Sequence, residues 1–332
     1  MLKEADIRFL KEDEFVAWDE FVENSPQGSI FSKSYWLKAV SDEFKILVCR
    51  QNNKIIGGIA LPSIYGKFYR NPKLTQKLGI ILNADKGSKY CNSISKQMDI
   101  IEALIKNLPK FKLFDYSFSK NFTNFLPLLW NKFKVNIKYT YLIEDLTDLD
   151  KVYSGFDNDL KYEIKKAIKN NISIIENNSI DEFYEINKKT FERQNIEIPY
   201  SLEFLTKLDK IMDEKKSRKI LFAKDESNKL IAAVYLIYDR NCTYYLMGGA
   251  DPEYRNTGVQ KLLIWEAIKF ASKVSKTFDF EGSMIQNIEK GFREFGGTQT
   301  IIHNVYRSDI ITEMFFYVAK KNRELIRKVF KV

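Results

Sequence analysis

Apolar and polar residues alternate along the first half of the chain in short blocks that end at polar turns. Lys45–Arg50 and Ile55–Ile64 are apolar runs separated by the turn QNNK, a pattern typical of a β-hairpin. The same pattern predicts a turn entering a helix, two further helices and two further strands, at Ile30–Val40, Ile94–Leu108, Leu126–Lys134, Lys112–Ser117 and Lys138–Glu144. The first half therefore indicates a mixture of strands and helices.

The second half repeats this order of elements. The runs Lys219–Ala223 and Leu230–Tyr238 predict a second hairpin, and strand Cys242–Gly248, helix Val259–Val274 and strand Thr277–Glu281 follow. Its other predicted elements are helices at Ser154–Asn170, Ile180–Gln194, Leu202–Lys215, Ile288–Phe295 and Asp309–Val332, and a strand at Thr300–Val305. Because the order hairpin, strand, loop, helix, strand occurs twice, we predict an α/β protein with two similar domains, residues 1–150 and 151–332.

The composition agrees with two folded domains and excludes several classes of protein. The chain has 332 residues with 45% hydrophobic and 14% aromatic residues, which excludes collagen-like and disordered chains. Its net charge is +9, and the excess of lysine and arginine is shared by both halves. Positive charge spread in this way suits anionic ligands, such as the pyrophosphate of CoA, a nucleotide sugar, tRNA or an anionic lipid surface.

The counts of histidine and cysteine restrict the possible chemistry. His303 is the single histidine and lies in an apolar strand, so a His-rich metal site is impossible and a structural role is expected for it. The three cysteines are far apart and form no CxxC pair, so we expect free thiols and no metal.

The distribution of charge and apolar residues also predicts where the protein works. The first residues are charged, and no run approaches the roughly 18 apolar residues of a membrane span. We therefore expect a cytoplasmic protein. Its basic C-terminal segment either packs on the sheet or touches the inner face of a membrane.

The loop between the predicted strand Cys242–Gly248 and helix Val259–Val274 carries the most informative motif. Arg255 and Gly258 form the spacing R-x-x-G-x-Q at the start of a helix, where unpaired N–H groups bind phosphate. This resembles the pyrophosphate loop of the GNAT superfamily, although Gln260 stands where that loop has a small residue. The resemblance implies that acyl-CoA, in particular acetyl-CoA, binds at Arg255, Asn256, Thr257, Gly258 and Gln260; the alternative is an ordinary turn that caps a helix.

A longer resemblance surrounds this loop. Tyr244–Ser283 looks like the second GNAT domain of the FemABX-like acyltransferases and of related acetyltransferases of polysaccharide biosynthesis. Five further segments match the same group, namely Phe31–Trp36, Pro72–Gly79, Leu126–Tyr141, Lys161–Ile174 and Phe191–Gln194. The resemblance implies two tandem GNAT-like domains, each a mixed twisted sheet flanked by helices, with the site in the C-terminal one.

Two departures separate the chain from the branch that builds peptidoglycan bridges. That branch uses a Phe-Lys pair near the end of its second domain, whereas Gly291–Gly297 (GFREFGG) has Arg293 in place of the lysine. The helical arm that some bridge enzymes carry is also missing. The resemblance therefore favours the sugar-acylating relatives over transfer from aminoacyl-tRNA.

Candidate catalytic residues lie on the strand after the long helix and on the strand before it. Asp279 and Glu281 alternate on a predicted strand, so both face one side, and a carboxylate against aromatic side chains would have a raised pKa. We favour Glu281 as the base, because it is nearer the strand end where α/β sites open, with a structural carboxylate as the alternative. Tyr245 is a candidate donor to the thioester, with core packing as its alternative.

Four charged or polar residues are candidate contacts to the acceptor. Lys290 and Arg293 can bind a phosphate of the acceptor, and Arg193 and Gln194 are suggested by the resemblance alone. A solvated helix face is the alternative for the two basic residues.

Three functions remain open at this point. The leading hypothesis is an N-acyltransferase that moves an acyl group from acyl-CoA to an amino group of a sugar or nucleotide sugar in surface polysaccharide biosynthesis. The second is a FemABX-type aminoacyltransferase that uses aminoacyl-tRNA on a peptidoglycan precursor. The third is a non-catalytic binding protein that keeps the fold.

Overall fold

The computed structural model describes residues 5–83, 89–282 and 284–321, and two compact units make up the chain. Unit 1 is Met1–Lys138 with Ile301–Val332, and unit 2 is Tyr139–Thr300. The sequence placed one boundary at residue 150 and kept the second half together. The division differs because two long strands, Lys134–Ile143 and Thr298–Ser308, each pass from one unit into the other, so no linker marks the boundary.

Thirteen strands are present in the described residues. In chain order they are β1 Asp6–Phe9, β2 Phe44–Gln51, β3 Lys54–Ile64, β4 Phe68–Arg70, β5 Ile80–Leu82, β6 Leu113–Ser117, β7 Lys134–Ile143, β8 Ser173–Glu176, β9 Arg218–Lys224, β10 Leu230–Tyr238, β11 Cys242–Ala250, β12 Thr277–Asp279 and β13 Thr298–Ser308.

Eleven α-helices connect or follow these strands in the same residues. They are α1 Phe15–Asn24, α2 Ser34–Val40, α3 Tyr90–Lys106, α4 Leu126–Trp130, α5 Leu149–Ser154, α6 Asn158–Lys169, α7 Ile180–Glu192, α8 Leu202–Glu214, α9 Val259–Val274, α10 Gln286–Arg293 and α11 Ile310–Lys321. The mixed α/β class with helices flanking mixed sheets confirms the predicted fold class.

Unit 1 is built on a hairpin of β2 and β3, with β1 added at one edge. Strand β3 also pairs with β4 and β5, β4 runs parallel to β6, and β6 pairs with the far end of β13. Trp18 and Trp36 are fully buried beside this sheet, and their indole N–H groups donate to Ser32 O at 2.7 Å and Thr75 Oγ1 at 2.9 Å. Both large rings are therefore buried without an unpaired polar atom.

Unit 2 places β10 at the centre of its sheet, between β9 and β11. Strand β8 pairs with β9. Strand β12 pairs in parallel with β11 on one side and antiparallel with the end of β7 on the other. Residues 231–237 of β10 are all fully buried, which explains why the sequence shows a continuous apolar run. Helices α6 and α9 pack together over one face of this sheet, with Leu160, Ile164, Leu263 and Ala267 in the shared core.

Several predicted boundaries hold and one matters for the site. Helix α9 and strand β10 have the predicted bounds, because strong periodicity and clear turn residues define both. Strand β12 ends at Asp279 and not at Glu281, since Glu281 and Gly282 have left-handed φ values of +62° and +56°. The helix predicted for Asp309–Val332 is seen as α11, and its part after residue 321 lies outside the described residues, as does Ser283.

Candidate active site

The candidate site of unit 2 lies where two parallel strands separate. Residues 242–244 of β11 pair with residues 277–279 of β12, and the pairing stops at Tyr244 and Asp279. Strand β12 ends there, whereas β11 continues to Ala250. In open α/β sheets, ligands bind where neighbouring strands diverge at their carboxyl ends, so this opening is the natural place for a substrate.

Tyr245 lies at the start of the opening and is held by Gln260. Gln260 Nε2 donates to Tyr245 Oη at 2.9 Å, which joins β11 to the first turn of α9. The register of β11 shifts here, because Tyr235 faces Met247 while Leu236 faces Tyr245, and this bulge redirects the Tyr245 side chain. Desolvation raises the pKa of Tyr245 to about 12, although the bond from Gln260 lowers it, so the phenol is neutral near pH 7.

Gly248 makes room for this pair. A Cβ atom at Gly248 would lie 2.1 Å from Tyr245 Oη and 3.1 Å from Gln260 Nε2. The hydroxyl and amide therefore cross directly over the backbone of β11. Gln260 Oε1 is buried and has no hydrogen-bond partner within the described part of the chain. Gln260, predicted as a donor-binding residue, thus holds the Tyr245 hydroxyl through its amide.

The first turn of α9 has the features of an anion site. Gly258 is the N-cap residue with φ +79°, and a Cβ there would lie 2.1 Å from Glu163 O of α6. The glycine therefore allows both a left-handed cap and the close approach of α6. The first N–H groups of a helix lack carbonyl partners inside it and can bind anions. Here the Val259 N–H donates to Thr257 Oγ1 at 3.4 Å, and this bond occupies one of these groups.

The remaining residues of the predicted donor loop differ in exposure. Arg255 and Asn256 are exposed. The Arg255 backbone N–H donates to Pro252 O at 3.4 Å, and its side chain makes no hydrogen bond or ion pair to any described residue. Thr257 is half-buried, its Oγ1 donates to Tyr254 O at 2.6 Å, and it thereby fixes the turn before α9. Arg255 and Asn256 are free to contact a ligand, whereas Thr257 shapes the loop.

Asp279 is fully buried and holds the end of β12. Its Oδ1 accepts from Thr140 Oγ1 at 2.6 Å and from the backbone N–H of Glu281 at 2.9 Å. Asp279 has no exposed surface, and its side chain holds the Glu281 backbone. The structure corrects the expectation that both carboxylates project from one strand, because β12 ends at Asp279 and Glu281 has a left-handed φ.

Glu281 follows the strand and adopts a backbone conformation that is rare for residues other than glycine. Its φ is +62°, and both carboxylate oxygens are shielded from solvent although the residue is only half-buried. Gly282 comes next with φ +56°, and a Cβ there would lie 2.2 Å from Tyr139 O. Strained residues of this kind occur often at functional sites, which keeps Glu281 as the candidate base.

Aromatic rings connect these two sides of the opening. The Phe292 ring of α10 lies 5.8 Å from the Tyr245 ring and 5.5 Å from the Phe280 ring. Phe280 follows Asp279 and is buried. The described contacts thus bring Tyr245, Gln260 and the Asp279–Glu281 segment into one region lined by Phe280 and Phe292.

The predicted acceptor contacts lie at the surface. Arg293 is 61% exposed at its side chain and pairs with Glu289 one turn earlier in α10, with 3.1 Å between Nε and Oε1. Lys290 is exposed on the same helix, and Arg193 and Gln194 are exposed at the end of α7. The Gln194 amide donates to Thr190 O at 3.1 Å. None of the four contacts Tyr245 or Glu281 among the described hydrogen bonds and ion pairs.

Sequence reasoning missed three residues that build the site. Thr140 supports Asp279, Phe292 lines the opening, and Asn187 Nδ2 donates to Gly248 O at 2.9 Å from the buried side of β11. Tyr200 in turn donates to Asn187 Oδ1 at 2.6 Å. For Asn187 the sequence held a signal, which is a polar residue on the apolar face of a helix. Buried polar residues of this kind are usually hydrogen-bonded.

His303, for which a structural role is expected, lies on β13. It is half-buried in unit 1, its ring lies 4.5 Å from the Phe125 ring, and desolvation lowers its pKa. Among the described residues, no three histidine, cysteine, aspartate or glutamate side chains are grouped as metal ligands. No helix within the same residues has the length and apolar character to cross a membrane.

The region that contains this opening is similar to a known family. Residues 154–283, less than half of the chain, match the family model described as an acetyltransferase (GNAT) domain. No curated protein matches the sequence.

Solved structures share the fold along about nine-tenths of the chain. FemX aligns with a TM-score of 0.66 at 11% identity, covering 90% of this chain and 96% of FemX. A tandem GNAT protein from the clavulanic acid biosynthesis pathway aligns at 0.54 and 10% identity, covering 91% and 98%. A C-terminal domain assigned to a lysylphosphatidylglycerol synthetase from Agrobacterium fabrum aligns at 0.55 and 10% identity, covering 93% and 96%. At these identities the likeness shows the tandem GNAT fold.

Proposed function

We propose that this protein transfers an acyl group from acyl-CoA to an amino group of a sugar or nucleotide sugar, in the assembly of a surface polysaccharide. The observation that carries the acyl transfer is the Tyr245–Gln260 pair at the opening between β11 and β12, beside the first turn of α9. The GNAT match to residues 154–283 supports the donor. The sugar acceptor rests on the resemblance to polysaccharide-acylating relatives.

The donor is expected to bind at the start of α9. The first-turn N–H groups and the exposed cation of Arg255 suit a pyrophosphate, and Asn256 adds an exposed amide. Lys261 is also in this turn, but its Nζ pairs with Glu294 Oε2 at 2.5 Å. Arg255 is therefore the cation that remains available, and acetyl-CoA is the first donor to test.

Tyr245 is suited to protonate the leaving group. Bound acyl-CoA supplies an activated acyl group as a thioester. Because Gln260 donates to Tyr245 Oη, the phenolic hydrogen stays free for another acceptor. A neutral phenol can give this proton to the sulfur that departs when the carbon–sulfur bond breaks.

Glu281 is suited to accept the proton that the attacking amine loses as the carbon–nitrogen bond forms. Asp279 fixes the Glu281 backbone by accepting its N–H, and Thr140 fixes Asp279. The reaction thus divides between a base at the end of β12 and an acid on β11. Lys290 and Arg293 remain proposed contacts to phosphate on the acceptor, and Arg193 and Gln194 to its sugar.

The direct test is release of free CoA thiol from acetyl-CoA with a panel of amino sugars and nucleotide amino sugars. We expect Tyr245→Phe to lower kcat about a hundredfold, with donor affinity changed less than about threefold, because it removes only the acid. Since the Tyr245 pKa is about 12, the wild-type rate should not fall between pH 8 and 10. Tyr69→Phe is the matched control, because Tyr69 is buried in unit 1 and makes one weak bond to Gly66 O at 3.4 Å.

The same preparation separates the alternatives. Thermal stabilisation by acetyl-CoA supports the proposal if the affinity for acetyl-CoA derived from it is about tenfold lower in Arg255→Gln. Stabilisation by aminoacyl-tRNA alone, with steep dependence on salt, would support the FemABX-type reaction. No response to either donor, and no rate change in Glu281→Gln, would indicate a binding protein.

A further inference from the structure

Unit 1 contains a strand junction with the same construction as the candidate active site. Residues 68–70 of β4 run parallel to residues 113–115 of β6, just as residues 242–244 run parallel to residues 277–279. Each pairing ends after three residue pairs, and an aspartate, Asp115 or Asp279, occupies the last position.

The support of the two aspartates is also the same. Asn304 Nδ2 donates to Asp115 Oδ1 at 2.8 Å, and Thr140 Oγ1 donates to Asp279 Oδ1 at 2.6 Å. Asn304 lies two positions before Tyr306, the cross-strand partner of Asp115. Thr140 likewise lies two positions before Leu142, the partner of Asp279. The two junctions are thus repeats of one local structure.

The unit 1 junction differs because it opens into a polar cavity of about 170 Å³. Its principal lining residues are Arg70, Asn71, Asp115, Ser117, Lys138 and Asn304. The cavity is smaller than the roughly 300–1,000 Å³ of ordinary ligand pockets, so it suits a small ligand or one group of a larger one. Where unit 2 has the buried Tyr244, unit 1 has the cation Arg70.

The charge of this cavity is positive. Arg70 and Lys138 face a single carboxylate, Asp115, which is already bonded to Asn304. Arg70 belongs to the ladder between β4 and β6, but its guanidinium group has no hydrogen bond or ion pair with any residue that the structure describes. Lys138 Nζ donates to Ser117 Oγ at 3.2 Å, and the residue is exposed. The Arg70 guanidinium is thus available to bind an anion.

The rim of the cavity is fixed before any ligand arrives. Asn71 Oδ1 accepts from the Ser117 N–H and Asn71 Nδ2 donates to Thr75 O, both at 2.9 Å. Thr75 Oγ1 in turn accepts from the buried Trp36. A rim held in this way loses little conformational entropy on binding.

We propose that this cavity is a second binding site, which takes a phosphate or carboxylate group of a small polar ligand. Arg70 binds two oxygens of the anion and Lys138 adds positive charge, whereas the negative charge of Asp115 opposes the anion. The site uses unit 1 alone and does not rest on the proposed acyl transfer.

The test is calorimetric titration of the full chain with glucose 1-phosphate, glucuronate and glucose. We expect both anions to bind and neutral glucose not to, and the tighter anion identifies the group. Arg70→Gln should weaken binding at least about tenfold, and Asp115→Asn should strengthen it severalfold because it removes the negative charge while keeping the acceptor for Asn304.

Two controls keep this test decisive. Lys110→Gln, on an exposed lysine outside the cavity, should leave the affinities unchanged, and circular dichroism checks that each variant is folded. The proposal would be overturned if Arg70→Gln left the affinity for the anions unchanged, or if Asp115→Asn lowered that affinity as much as Arg70→Gln does. Loss of binding in Arg255→Gln would place the anion at the start of α9 and also overturn it.

Discussion

The junctions at Asp115 and Asp279 have the same strand pairing but different surroundings. Asp279 is fully buried and pairs with Tyr244, and the next residue, Phe280, packs its ring against Phe292. Asp115 is half-buried beside Arg70 in a polar cavity. The same backbone arrangement therefore provides an aromatic opening in unit 2 and a cationic one in unit 1, and the side chains around the aspartate decide which ligand fits.

The largest difference between the units should appear at two left-handed glycines. Gly258→Ala should destabilise unit 2 by about 4 kcal/mol, because strain at φ +79° adds to a clash with Glu163 O. Gly66→Ala in unit 1 should cost about 1 kcal/mol, since φ is +70° but no atom lies within 4 Å of the new Cβ. Urea unfolding measures both, and equal losses would show that the packing of α6 on α9 is not tight.

The two aspartates should differ next. Asp279→Ala should lower the free energy of unfolding by about 3 kcal/mol, because it removes the acceptor of Thr140 and of the Glu281 N–H inside the core. Asp115→Ala should cost about 1 kcal/mol, because water can replace its bond to Asn304. A larger loss for Asp115→Ala would mean that the exposed junction, and not the buried one, holds its unit together.

The sequence predicted the elements with long periodic patterns and missed those that depend on distant residues. Helix α9 and strand β10 followed from local patterns, whereas β4 and β5 have three residues each and show no periodicity. The division of the chain into units depends on where β7 and β13 pair, and this is decided by tertiary contacts. Local patterns alone therefore led to a single boundary at residue 150, whereas unit 2 spans Tyr139–Thr300.

The candidate site was visible in part. Residues 113–117 (LFDYS) and 277–281 (TFDFE) share the pattern Phe-Asp-aromatic, and this internal repeat was a signal that could have located both junctions. The Tyr245–Gln260 bond could not be predicted, because it depends on a bulge in β11. The strand alternation expected at Glu281 failed because the backbone turns to a left-handed conformation there.

Hydrogen exchange with and without acetyl-CoA tests most directly whether unit 2 holds the acyl donor. We expect slower exchange at residues 254–264 and 279–282, where the first turn of α9 and the end of β12 border the opening. Exchange at residues 68–78 and 113–117 of unit 1 should not change. Protection of the unit 1 segments, with none at the start of α9, would show that unit 2 does not hold the acyl donor.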